Sequence, residues 1–174
     1  MTDEQSAPGG RLRGFAVSLP MSLLRAREAA MQHFRPMLRS HGMTEQQWRV
    51  MRALSSKRTV EFSELVDMTF LLAPSMSRIL KELEHRKLVS REVTDQDARK
   101  VNVSITAAGL KLIEKIAPHS EFIYAQISSR YGQKKLASLQ AMLKELEEAL
   151  SGELIELSPR GETRTPTRLR TGSR

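Results

Sequence analysis

The chain of 174 residues has no cysteine. That excludes a disulfide scaffold, a zinc ribbon, a thiol nucleophile and a thiol redox sensor, and it suits a reducing cytoplasm. It also lacks any apolar run as long as a membrane span. Its amino end, MTDEQSAPGG, carries neither the basic nor the apolar region of a secretory signal. A cytoplasmic protein with no membrane partner is the expectation. The histidines His33, His41, His85 and His119 miss a metal-binding spacing such as H-E-x-x-H and read as packing or surface residues. No G-x-S-x-G, Walker loop or dinucleotide fingerprint occurs. The acid pairs Glu82/Glu84 and Glu147/Glu148 sit near lysines on helical stretches, as solvated faces do. Neither an enzyme nor a cofactor is expected.

What is present is ordinary in proportion and uneven in placement. Hydrophobic residues make up 40% and charged residues 28%, close to globular averages, and the length suits one domain with a real core. Net charge is +8, but half of it lies in Ser158–Arg174, where five arginines face only Glu162. Charge alone is therefore a weak pointer to a polyanionic partner. The expected organisation is a disordered segment over 1–17, a folded domain over 18–150 and a disordered basic tail over 151–174. The tail has too little apolar mass to offset its ordering entropy. A non-specific polyanion-binding arm and a functionless remnant both fit it.

Periodicity divides the middle into helices and one hairpin. Leu19 to Ser40 reads as a helix with Pro20 in its first turn and Pro36 as a kink. It carries two apolar stripes, Leu23–Ala26–Ala30–Phe34–Met37 and Leu24–Met31–Leu38, so it is covered on more than one side. Gly42 stops it. Thr44 with Gln47 forms a capping box for a helix to about Ser55, with Trp48, Met51 and Leu54 inward. After the short extended segment RTVEF, Ser63 caps a helix over 64–69. Pro74 then opens another to about Lys87, with Met76, Ile79, Leu80 and Leu83 inward. Alternating residues in LVSREVT and VNVSIT predict a β-hairpin whose tip is residues 95–100, six residues with no apolar side chain larger than alanine. Thr106 caps a long helix bent at Pro118, and Gln133 to Leu150 forms the last one.

A short helix, a turn and a second helix are a helix-turn-helix, in which the second helix can enter the major groove of double-stranded DNA. With its apolar residues inward, Ser75, Ser77, Arg78 and Lys81 face outward, where they can meet phosphates or base edges. A ribbon with Asp97, Arg99 and Lys100 at its tip, directly after that helix, makes a winged helix. Arg99 would then reach a narrow minor groove, with Asp97 either orienting its guanidinium or merely neutralising it in a surface pair. The fold class is mainly α with a small β-hairpin wing. APSMSRILKELEHRKLVSR and the wing pattern D-x-D-x-R before VNVSITAAG resemble the MarR family of winged-helix regulators, over about Leu19 to Leu150. The resemblance implies a homodimer with interleaved end helices and two reading heads on a palindromic operator. A protein-interaction dimer without sequence-specific DNA binding is the alternative.

LLRAREAAMQHFRPMLRSHGMTEQQWRVMRAL is similar to the subgroup that represses operons for homoprotocatechuate breakdown. This implies a small aromatic carboxylate as effector. Arg27 lies in the stripe Leu24–Arg27–Met31–Phe34–Leu38, and an arginine among apolar neighbours calls for an anionic partner. Trp48 would wall the ring, while Arg25 and His33 would bond a phenol or the carboxylate. An intersubunit ion pair of Arg27 with Glu28 or Glu45 is the competing reading.

Overall fold

A computed structural model describes residues 14–94 and 97–152, with the backbone alone for residues 94 and 97–99. Its helices are α1 (Leu19–Ser40), α2 (Glu45–Lys57), α3 (Phe62–Thr69), α4 (Ala73–His85), α5 (Ala107–Tyr131) and α6 (Gln133–Leu150). Its strands are β1 (Thr59–Glu61), β2 (Val89–Thr94) and β3 (Asp97–Ile105), in the antiparallel order β1-β3-β2. None of these helices is long and apolar enough to cross a membrane. The chain falls into two compact units, one ending at Arg130 and the other beginning at Tyr131.

In the first unit the helix ends follow local chemistry closely. The α1 terminus is a Schellman turn: Met43 N–H donates to Leu38 O (2.9 Å), and Gly42 takes the left-handed conformation at φ 63°. At α2 the capping box is complete, with Gln47 N–H donating to Thr44 Oγ1 and Thr44 N–H to Gln47 Oε1. Pro36 and Pro118 both lie inside continuous helices.

Five expectations need correction. Glu61 rather than Ser63 holds the N-cap place of α3, and Ser63 Oγ instead donates to Glu61 Oε1 (2.8 Å). Helix α4 ends at His85 rather than Lys87, because Lys87 turns left-handed (φ 58°) and Leu88 N–H closes back on Leu83 O. The short extended segment expected around Val60 does form, but it pairs with β3 as a third strand, so the sheet is larger than the expected hairpin (Val60↔Val103). The six-residue tip shrinks to Asp95 and Gln96, which lie outside the described residues. Strand β3 begins already at Asp97, with pairing that jumps from Val93↔Val101 to Thr94↔Asp97. Last, Phe15–Val17, within the segment 1–17 expected to be disordered, form a turn of 3-10 helix. Residues 1–13 and 153–174, including the arginine-rich tail, lie outside the described residues.

The core of the first unit gathers the predicted inward residues of α2 and α4, with α3 adding one that was not foreseen. Trp48, Met51 and Leu54 of α2 join Leu65 of α3 and Met76, Ile79, Leu80 and Leu83 of α4. Phe34 and Leu38 come from α1, Val60, Val89, Val103 and Ile105 from the strands, and Ile116 from α5. Where α4, the hairpin and α5 meet, the fit is tightest. Thr106 N–H donates to Leu88 O (3.1 Å), Thr106 Oγ1 donates to Lys87 O (2.7 Å), and Gly109 N–H donates to Thr106 Oγ1 (3.0 Å). A Cβ on Gly109 would stand 2.3 Å from Leu88 O and 2.8 Å from the Ile105 side chain. In the second unit α6 buries none of its residues and leaves Met142, Leu143 and Leu150 exposed.

Gly109→Ala should therefore destabilise the protein by roughly 1–3 kcal/mol or more, since backbone and a packed isoleucine must move to admit one methyl. Urea unfolding followed by circular dichroism measures this. A midpoint equal to wild type would show that the junction yields freely.

Candidate nucleic-acid interface

Helix α4 presents its outer face as its periodicity predicts. With Met76, Ile79, Leu80 and Leu83 buried, Ser77, Arg78 and Lys81 are exposed and Ser75 is half-buried. Neither Arg78 nor Lys81 has an ion-pair partner among the described residues. A groove of about 530 Å³ runs along this face, with Ile79 on its floor. Arg78, Lys81, Glu82 and His85 form one side, and Thr44, Gln46 and Gln47 from the start of α2 form the other. The face thus offers the cations Arg78 and Lys81 without ion-pair partners among the described residues, which suits phosphate and base-edge contacts, while Thr44 and Gln47 are engaged with each other in the α2 capping box.

Beside it stands the ribbon of β2 and β3. Arg91 of β2 donates to Glu84 of α4, through Nε at 2.9 Å and also through its second guanidinium nitrogen. That hydrogen bond holds the Glu84 carboxyl below its ordinary range. Lys100, exposed on β3, stands 3.9 Å from Glu61. Asp97 and Arg99 belong to β3 by their backbone, but their side chains lie outside the described residues.

The four residues expected at an effector site are distributed differently. Arg25 donates to the Ala16 carbonyl and so closes the 3-10 turn onto α1. His33 lines a cleft of about 200 Å³ with Phe122, Ile123, Gln126, Ile127 and Arg130. Trp48 is buried in the core of the first unit. Arg27 is 41% exposed and already paired with Glu28 (2.8 Å) and Glu45 of its own chain. Glu45, only 18% exposed, also receives Arg35 (3.1 Å) and Arg49 (3.2 Å). Arg35 in turn reaches Glu28 at 2.6 Å, and this bond, with Arg27 adding to it, lowers the Glu28 pKa. Arg49 also donates to Thr69 O at the end of α3 (3.0 Å). The competing reading names Glu28 and Glu45 as the acids for Arg27, but across subunits; both pairs form within one chain, and Arg35 and Arg49 join them unforeseen.

One residue escaped the sequence reading. The Arg52 guanidinium lies 6.0 Å from the centre of the Trp48 ring and has no ion-pair partner among the described residues. The Trp48/Arg52 spacing of four along α2 was the available signal. Among the described residues no group of three or more histidines or acids could hold a metal ion.

Comparison with known proteins gives a consistent result. Residues 41–100 match the model described as MarR family. Over 128 residues the chain is 38% identical to the homoprotocatechuate degradative operon repressor of Escherichia coli, covering 74% of this chain and 86% of that protein. The solved transcriptional regulator PA4135 superposes with a TM-score of 0.73 at 41% identity, over 75% of this chain and 96% of its own. NadR in complex with 4-hydroxyphenylacetate superposes with a TM-score of 0.68 at 36% identity, over 79% of this chain and 97% of its own.

The Glu84–Arg91 tie predicts a pH dependence. A carboxyl with a lowered folded pKa adds stability that is present above its ordinary value of 4.5 and disappears as the pH falls through the lowered value. Glu84→Gln should flatten the fall of stability below pH 4.5 relative to wild type. The effect should stay within about 1 kcal/mol and shrink in salt, because the pair is exposed. Urea midpoints at several pH values test this; identical acid limbs in both proteins would contradict it.

Proposed function

This chain belongs to the MarR family of transcriptional regulators, and on that premise we propose that it is a homodimeric, ligand-released repressor of an aromatic-acid catabolic operon. The observation that carries DNA reading is the unclaimed outer face of α4, with Ser77, Arg78 and Lys81 exposed and the ribbon tied beside it by Arg91. Ser75 and the strand residues Asp97, Arg99 and Lys100 complete the reading surface. Two such heads would address a palindrome with half-sites about one helical turn apart. Dimerisation is supported by large apolar side chains left exposed on single elements: Leu19, Leu23 and Leu24 on α1, Phe122 on α5, and Met142 and Leu143 on α6.

For the effector, the names of the relatives point to hydroxyphenylacetate-like carboxylates, and Trp48 gives the ring wall that such a compound needs. Arg27 meets a carboxylate only by giving up Glu28 and Glu45, and Arg25 only by releasing Ala16. Arg52, beside the indole and without an ion-pair partner among the described residues, suits the role better. It anchors a carboxylate without breaking an existing bond. His33 belongs to the separate α1–α5 cleft and is a weaker candidate. An effector need favour the spacing that does not fit DNA by only a few kcal/mol to release the operator.

Two expected outcomes follow. In gel shifts with the selected operator, Arg78→Ala should cost roughly 1–3 kcal/mol and relax preference at one base pair of each half-site. Binding that is weak, insensitive to sequence and unaltered in this variant would favour a protein-interaction module. In calorimetry with 4-hydroxyphenylacetate and 3,4-dihydroxyphenylacetate, Arg52→Ala should weaken binding about ten- to hundred-fold, with Arg27→Ala little changed. The reverse pattern would return the anchor to Arg27.

A further inference from the structure

The turn joining α3 to α4 carries two large apolar side chains in water, Phe70 (84% exposed) and Leu72 (78% exposed). They alternate with Thr69 and Leu71, which are buried. Thr69 Oγ1 donates to Leu65 O (2.7 Å), and Arg49 donates to Thr69 O. The buried pair thus fixes the turn, and the alternation thrusts the other pair outward.

Both outward positions are chemically odd. Phe70 sits in the left-handed region (φ 52°, ψ 37°), which a bulky residue adopts reluctantly and Gly or Asn adopts easily. Leu72 occupies the N-cap of α4 and makes no side-chain cap bond there, where Ser, Thr, Asp or Asn would bond the first turn. A sequence tuned for stability alone would place small or polar residues at both points.

Their location supplies a reason. They immediately precede Pro74, Ser75, Ser77 and Arg78, at the amino end of the helix whose outer face is polar and basic. In a helix-turn-helix that end approaches the base edges most closely. The one apolar group a major groove displays is the thymine 5-methyl. We infer that Phe70 and Leu72 form an apolar knuckle that reads thymine methyl groups in the operator half-site, next to the bases addressed by Arg78. This rests on the DNA-reading proposal above and adds the base identity that the knuckle selects. Continuity with the basic α4 face favours DNA over a protein as the occupant.

The test uses full-length protein and duplex operator selected by it, with single thymines replaced by deoxyuracil across one half-site, which removes only the methyl. Wild type should lose about four-fold in affinity at each methyl the knuckle covers. Leu72→Ala and Phe70→Asn should bind the unmodified operator more weakly and lose that methyl effect at the same positions. Phe70→Asn tolerates the left-handed backbone, so its unfolding midpoint should equal or exceed that of wild type. Methyl effects absent in wild type, or undiminished in both variants, would overturn the inference while leaving operator binding intact. Repression lost at unchanged DNA affinity would overturn it too, in favour of a protein contact. Failure of the wild type to prefer any sequence would instead remove the DNA reading itself, and this inference with it.

Discussion

The carbonyl of Leu88 and the missing side chain of Gly109 form the point on which the reading unit turns. Leu88 follows the left-handed Lys87 just past the end of α4, and it immediately precedes β2. Its oxygen takes the Thr106 N–H, while Thr106 Oγ1 reaches back to Lys87 O and accepts from Gly109. Three elements are thereby joined through a single threonine and a single glycine: the reading helix, both ends of the hairpin and the start of α5. The two residues behave as a unit, because the threonine cap brings in the first turn of α5 and only a glycine lets that turn approach a backbone oxygen so closely.

A second tie works across greater sequence distance. Glu45 gathers Arg27 and Arg35 from α1 and Arg49 from α2, and Arg49 continues to the Thr69 carbonyl at the end of α3. Each exposed pair contributes little alone. Their placement matters more than their sum. A turn of α1 about its own axis draws on Glu45, and through Arg49 on the turn that presents α4. The same network explains why Arg27, which looks unbalanced among the apolar residues of α1, is satisfied within one chain.

Sequence made the regular parts legible because their signals are local. The capping box at Thr44, the stop at Gly42, Pro74 in the first turn of α4 and the inward residues of α2 and α4 are all decided within a few residues. The outward set Ser77, Arg78 and Lys81 follows from the same period. What escaped was non-local or contrary to propensity. Pairing of β1 with β3 joins residues more than forty apart along the chain, and no periodicity in three residues announces it. Lys87 and Phe70 end their helices in a left-handed conformation that sequence rules reserve for glycine and asparagine. The Arg27–Glu45 pair was foreseen only as one between subunits, and no pattern along α1 or α2 records that Arg35 joins it within the chain.

The third strand also has a mechanical consequence. Residues 102–104 of β3 are bonded on both edges, by β1 and by β2, whereas from Val101 outward only β2 accompanies the strand. A sheet clamped on both edges resists bending far more than a lone ribbon does. Flexing of the outer ribbon therefore concentrates at Val101, and Lys100 near Glu61 sits just beyond that fulcrum.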